Sequence, residues 1–297
     1  MISIQDAFKK FRSRLELTQR EQDDASCRQQ DIRKVMKRAF SVDRDFLTGS
    51  YKRHTKTKPL KDVDIFCVLG DKERHYRDQN PSVLLADVKK ELAKEYGDEN
   101  VSQQRRSVCV DFGVKEDENG ETGEKVMSFD VVPAFSKNGH YEIPDVDTAS
   151  GWTNTDPEVH ANLAIKAQKD YDSQWKGLVR MMKSWNREAG KPIRPGFLIE
   201  VMALEVLFPP WKGIYAREMQ AFFATLAQRI HETWPDPAGL GSDVSDRMTP
   251  AECDAAKKVL LESEQKAALA IRLEREGKNG EALRTWRELF GPQFPLS

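Results

Sequence analysis

The sequence predicts an α+β fold, with a mixed sheet and helices in the first half and helices alone in the second. Three observations lead there. Residues 62–69 (DVDIFCVL) and 107–113 (SVCVDFG) are short apolar strands, and 125–135 (KVMSFDVVPAF) reads as the strand returning from the second. After residue 156 the apolar residues recur at three- and four-residue spacing, the mark of amphipathic helices. Between these halves, His140–Asp156 is rich in Pro, Gly, Asp, Thr and Ser, as domain boundaries are. The expected division is 1–150 and 151–297.

Each element has its own signal. Ile4, Phe8, Phe11 and Leu15 share a helix face, and Ile32, Val35, Met36, Ala39 and Phe40 form a second stripe. The polar stretch between them, TQREQDDASCRQQ, is either a connecting loop or the solvated part of one long helix. Lys9, Lys10, Arg12, Arg14, Arg33, Lys34, Lys37 and Arg38 fall mostly off those stripes. A solvated face is the first reading of them, and a polyanion-binding face the second. Pro81 and Ser82 open a helix whose apolar side carries Val83, Leu84, Val88 and Leu92. Residues 115–124 (KEDENGETGE) form a polar turn. In the second half, Trp175, Leu178, Val179, Met182 and Trp185 make a stripe within Ser173–Glu188, with Lys183 at its edge. Phe197–Phe208 is strongly apolar, with Glu200 and Glu205 as its only charges. Glu218–Trp234 follows, and helices near Pro250–Glu276 and Glu281–Leu289 end the chain. No internal repeat is visible.

Composition narrows the class. The chain has 297 residues, 32% charged and 39% apolar, enough for one large or two ordinary domains of a water-soluble protein. No apolar run approaches a membrane span, and the N-terminus lacks the apolar core of a signal peptide. Cys27, Cys67, Cys109 and Cys253 are dispersed, which suggests reduced thiols in a cytoplasmic protein and no zinc site. The net charge of −1 gives no global nucleic-acid signature.

One stretch carries chemistry: Leu47–Leu69, LTGSYKRHTKTKPLKDVDIFCVL. Gly49 and Ser50 form a turn able to bring backbone N–H groups and a hydroxyl to phosphate oxygens. A strand then places Asp62 and Asp64 on one face and Val63 and Ile65 on the other. Adjacent carboxylates repel, and a divalent cation relieves that repulsion. Their hard oxygens suit Mg²⁺. Two solvated surface aspartates after a basic loop are the plain alternative. A third acid has two candidates, Asp111 and Asp130. The latter interrupts an apolar run, where a carboxylate is costly unless paired or metal-bound.

Gly-Ser, a basic spacer and Asp-x-Asp in a strand resemble the nucleotidyltransferase motif of the DNA polymerase β superfamily. SFDVVPAF resembles the third-acid strand of one subgroup, which favours Asp130 over Asp111. With LVRMMKSWNREAG, PGFLIEVMALEVL and WPDPAGLGSDVS, the resemblance from about residue 40 onward is to the bacterial cyclic-GMP-AMP-synthase-like nucleotidyltransferases of antiphage signalling. These are relatives of animal cyclic GMP-AMP synthase and oligoadenylate synthase.

The resemblance implies a polymerase-β-type nucleotidyltransferase lobe with an N-terminal bridging helix, and an oligoadenylate-synthase-like helical lobe, with nucleotides between them. It implies Asp62, Asp64 and Asp130 as catalytic acids holding two Mg²⁺ ions, with Mn²⁺ able to substitute. Gly49 and Ser50 would cradle the donor's phosphates, Lys183 would contact the triphosphate, and Phe197 would stack on the base. Lys183 as a solvated helix-edge residue and Phe197 as a core residue are the plain alternatives. Gly196 stands where the family often has Ser, and a backbone N–H there is the candidate substitute. The implied partners are NTPs, ATP among them, an effector that reads the product, and a regulatory protein. The basic loop Lys52–Lys58 reads first as charge balance beside the acids, then as a phosphate contact, and last as a nucleic-acid activator patch. The implied function is synthesis of a cyclic di- or trinucleotide messenger. A linear oligoadenylate-type product and a catalytically silent nucleotide-binding scaffold are the alternatives. An RNA-tailing enzyme fits the near-zero charge less well.

Overall fold

The computed structural model describes residues 2–117 and 122–297. Residues 118–121, part of the expected polar turn, lie outside the described residues. The chain forms two compact units, one of residues 17–161 and the other of residues 1–16 with 162–297. These limits differ from the expected division at residue 150.

The first unit is built on a mixed sheet. Its strands among the described residues are β1 (Val42–Thr48), β2 (Asp62–Leu69), β3 (Val101–Gln103), β4 (Val108–Asp111), β5 (Ser128–Lys137), β6 (His140–Pro144) and β7 (Trp152–Thr155). The order is β1-β2-β5-β4-β3, with β6 pairing both β5 and β7. Only β2 and β5 run parallel; the other pairs are antiparallel. The strands follow from period-two burial. Val63, Ile65, Cys67 and Leu69 join the larger core with Phe129 and Val131, while Phe66 and Val68 face the other side with Ala134, Tyr141 and Ile143. Each such buried side chain contributes about 1.5–3 kcal/mol. Helices α2 (Gln19–Ala39) and α4 (Pro81–Tyr96) supply Ile32, Met36, Leu84, Val88 and Leu92 to the larger core. The stretch expected as a linker folds instead as β6 and β7. Tyr141 and Ile143 are buried there, and the fully buried Asp145 is held by Arg105 and Arg106.

The polar stretch 18–30 is the cap and the mostly exposed or part-buried first half of a long helix, α2 (Gln19–Ala39), which is separate from the helix before it. Helix α1 (Ile4–Arg14) ends, and α2 begins afresh at Thr18. The Thr18 hydroxyl accepts from the Glu21 N–H while the Glu21 carboxylate accepts from the Thr18 N–H, a reciprocal cap worth about 1 kcal/mol. Glu21 is buried and also accepts from the Leu60 N–H, at 3.1 Å, just ahead of β2. Several off-stripe basic residues are paired within their unit: Arg33 and Lys37 meet Asp45, and Arg38 meets Glu95.

The second unit is helical. It contains α1, α6 (Trp175–Glu188), α7 (Gly196–Val206), α8 (Tyr215–Arg229), α9 (Pro250–Arg275) and α10 (Asn279–Phe290); α5 (Pro157–Asp170) spans the junction at residues 161 and 162. Residues 1–16 belong here because Phe8 packs edge-on against Trp286 and Phe294, with ring centres 4.9 and 5.1 Å apart. Phe11 lies on Phe290. Trp175, Trp185, Trp234 and Trp286 are all fully buried. Among the described residues no helix is long and apolar enough to cross a membrane.

Candidate active site

The strand period places the acids. Val63 and Ile65 are fully buried, which leaves Asp62 and Asp64 on the opposite face of β2, each half-buried. Phe129 and Val131 do the same for Asp130 on β5. The parallel register sets Asp64 directly beside Asp130, and Asp62 beside Ser128. Neighbouring strands lie roughly 4.8 Å apart, so the Asp64 and Asp130 carboxylates share one small patch. Asp111 sits elsewhere: it is exposed, pairs with Ser128 from the far side of β5, and its carboxylate accepts from the Gly113 N–H at 2.8 Å.

The Gly-Ser turn closes on the same patch. Thr48, the last residue of β1, pairs with Asp64. Gly49 then adopts a left-handed φ of 64° and opens the one-turn helix α3 (Gly49–Lys52). A Cβ at Gly49 would stand 2.6 Å from Asp64 Cγ and closer still to Oδ2. Glycine is therefore required twice, by conformation and by the carboxylate lying against its Cα. The Ser50 carbonyl accepts from the Thr55 and Lys56 N–H groups at 3.0 and 3.2 Å. That folds the basic loop back, and Lys56 Nζ reaches Asp62 Oδ1 at 2.5 Å. The sequence showed a basic loop but not which of its cations meets Asp62.

The electrostatics single out Asp130. Burial first, then the charges of Asp64 and Asp62, push its carboxyl up to about 6. Its Oδ1 is buried and has no hydrogen-bond partner. Opposite it on β4, burial and the neighbouring Asp130 push the Cys109 thiol up to about 11. Among the described residues no group of three His, Cys, Asp or Glu side chains is arranged to hold a metal as it stands. The donor chemistry nevertheless fits a hard divalent cation. The Asp64 and Asp130 carboxylates adjoin, Asp130 Oδ1 is buried without a donor, and Asp62 is neutralised by an ammonium.

Lys183, Gly196 and Phe197 belong to the helical unit. Lys183 is neither solvated nor at a loose edge, for its Nζ lies 2.6 Å from Oε1 of the buried Glu200 on α7. Phe197 is half-buried against the helical core in the first turn of α7. Gly196 is the first residue of that helix, after Pro195, and no side chain caps this terminus. A Cβ at Gly196 would meet nothing within 4 Å, so packing does not demand glycine there.

Comparison with known proteins bears on the fold and the family. A probable cyclic nucleotide synthase of Bacillus cereus is 27% identical over 277 residues, 83% of this chain and 81% of the relative. The cyclic AMP-AMP-AMP synthase of an Acinetobacter species is 28% identical over 275 residues, 85% of this chain and 73% of the relative. E. coli CdnC, solved with ATP, superposes with a TM-score of 0.74 at 16% identity, over 99% of both chains. The same protein solved in complex with HORMA-deltaN gives 0.72 at 17% identity, over 98% of both chains. These likenesses bear out the expected α+β fold of the polymerase-β type and the resemblance to the cyclic-GMP-AMP-synthase-like enzymes. Residues 2–167 match the Second Messenger Oligonucleotide or Dinucleotide Synthetase domain. The chain belongs to that family and is a nucleotidyltransferase of the cyclic-oligonucleotide-synthase kind.

Proposed function

We propose that this enzyme joins NTPs, ATP among them, into a cyclic di- or trinucleotide messenger of antiphage defence, releasing pyrophosphate, with Asp62, Asp64 and Asp130 as its catalytic acids. The observation that carries this reading is the register pairing of Asp64 with Asp130 beside Gly49. We assign the nucleotidyltransferase chemistry to the sheet-bearing unit and the remaining nucleotide contacts to the helical unit.

The three aspartates are the residues that would hold two Mg²⁺ ions, or Mn²⁺ in their place. When bound, such ions supply charge neutralisation at the triphosphate and acidify the attacking hydroxyl. The protein's own groups do the rest. The Gly49–Ser50 turn offers its N–H groups and hydroxyl to the donor's β- and γ-phosphates. The acceptor ribose hydroxyl attacks the α-phosphate. A new P–O bond forms, the bond to pyrophosphate breaks, and the Asp130 carboxylate receives the hydroxyl proton. Burial and the neighbouring acids push the Asp130 carboxyl up to about 6 in the metal-free site, and bound cations would favour its ionised form, the form that can accept a proton. A second transfer, within the linear intermediate, closes a dinucleotide ring; a trinucleotide ring takes three transfers, each releasing pyrophosphate.

Lys183 is proposed as a triphosphate contact, moving from Glu200 to phosphate when nucleotide binds. Phe197 is proposed to stack on the donor base, and the Gly196 N–H at the uncapped start of α7 to replace the family's hydroxyl. A regulatory protein and an effector that reads the product are the proposed partners, in the cytoplasm. The complex of the E. coli neighbour with HORMA-deltaN supports a regulatory partner.

The test is incubation with all four NTPs and Mg²⁺, followed by phosphatase treatment and mass spectrometry. A phosphatase-resistant cyclic product, lost in Asp62→Ala/Asp64→Ala, is expected. A phosphatase-sensitive product indicates a linear synthase. Absence of turnover with every metal and candidate activator indicates a silent scaffold.

A further inference from the structure

We propose that Lys56 is a built-in competitor for the divalent cation at Asp62. In the nucleotide-free protein its ammonium holds the place the ion must take, and the ion binds by displacing it. The inference rests on the reading of Asp62 as a metal ligand.

Three observations carry it. Lys56 Nζ lies 2.5 Å from Asp62 Oδ1, and the lysine side chain is only 15% exposed against 46% for the aspartate. A solvated surface pair exposes its long cationic partner; here the cation is the more buried of the two and sits inward of the carboxylate. Second, the fold delivers the ammonium. The Thr55 and Lys56 N–H groups are anchored on the Ser50 carbonyl, Thr55 is fully buried, and Leu60 closes the loop against Glu21. Little side-chain freedom is lost in holding the pair, unlike a pair drawn from a mobile loop. Third, the Lys56 ammonium does not answer Asp130. Asp130 keeps a buried oxygen with no donor although Asp62 is satisfied.

The ammonium disfavours a divalent ion at Asp62 Oδ1, because it occupies one lone pair of that oxygen and the two cations repel each other. The ion wins by also reaching Asp130, whose buried Oδ1 has no donor. Once displaced, Lys56 finds its next anionic partner in the donor's phosphates. Nucleotide and metal therefore favour each other's binding, since the nucleotide compensates the cation that the metal evicts. The same turn that presents Gly49 and Ser50 thus also guards the metal position until substrate arrives.

The experiment titrates Mn²⁺ into the full-length, nucleotide-free protein and follows the free ion by electron paramagnetic resonance. Lys56→Met is expected to tighten Mn²⁺ binding about tenfold or more, the scale of one neighbouring charge on an ionisable site. Lys56→Arg stays near wild type, and Asp62→Asn loses the effect. Unchanged or weaker binding in Lys56→Met overturns the proposal and leaves the metal role of Asp62 standing. Absence of Mn²⁺ binding in both wild type and Lys56→Met overturns that role as well. Melting curves in EDTA report whether Lys56→Met is folded; if it is not, Lys56→Gln carries the same expectation.

Discussion

Replacing Asp130 with Asn should make the metal-free enzyme more stable at neutral and alkaline pH. The folded-state pKa is raised from 3.8 to about 6 by burial and by Asp64 and Asp62. The folded protein therefore binds more protons than the unfolded chain across that window. Stability contributed by the protonated form is full below about pH 4 and is lost as pH rises through about 6. The whole displacement corresponds to about 3 kcal/mol at ~1.4 kcal/mol per tenfold change in proton affinity. Solvent relaxation around a half-buried group reduces this, so about 1–3 kcal/mol is expected above pH 7, roughly 3–10 °C in Tm for a unit of this size. Asn mimics the neutral acid, so the two proteins should converge near pH 4. The assay is thermal unfolding in EDTA from about pH 4 to 8, repeated with saturating Mg²⁺. Mg²⁺ should narrow the gap by stabilising wild type more than Asp130→Asn. A variant no more stable than wild type at pH 8, or a gap that widens toward pH 4, refutes the claim that burial and the neighbouring acids disfavour the ionised Asp130 carboxylate.

Other substitutions probe the remaining parts. Gly49→Ala should abolish synthesis and cost about 1–3 kcal/mol in denaturant titration, because the methyl collides with the Asp64 carboxylate at a left-handed φ; an active variant would show that the turn has freedom to move. Lys183→Ala should destabilise by about 3 kcal/mol in the same titration by removing the ammonium that faces buried Glu200. Lys183→Ala/Glu200→Gln should recover stability while keeping a raised KM for NTP, and a normal KM would leave Lys183 with a structural role only. Gly196→Ser should fold as well as wild type and lower the KM for NTP, since the added Cβ meets nothing; an unchanged KM removes this position from the phosphate contacts.

The acids were legible because strand periodicity is local. Val63, Ile65, Phe129 and Val131 announce a buried face, so Asp62, Asp64 and Asp130 must share the other. That Asp64 and Asp130 stand side by side is a matter of register between strands some sixty residues apart, which no local pattern carries. Lys56 was one of five basic residues in a loop, and only the anchoring on Ser50 decides that it, rather than Lys58, meets Asp62. The Lys183–Glu200 pair was hidden for a similar reason: both residues were visible, but the packing of α6 on α7 was not. At the N-terminus the apolar stripes were right and the break between them was missed. Thr18 and Glu21 form a capping box in a stretch so polar that it passed for linker or solvated helix. The 140–156 region misled through composition. Its turn-forming residues flank two short strands that pair with their neighbours in sequence, β6 with β5 and β7 with β6, and strands of five and four residues carry little periodic signal.

The most direct test is anomalous diffraction from crystals soaked with Mn²⁺ and a non-hydrolysable ATP analogue. Two Mn²⁺ peaks bridging the aspartates and the triphosphate are expected, with Asp130 Oδ1 and Asp64 about 2.1 Å from an ion and the Lys56 ammonium gone from Asp62. Mn²⁺ bound elsewhere, or a nucleotide-loaded site in which Asp130 touches no ion, would contradict the account.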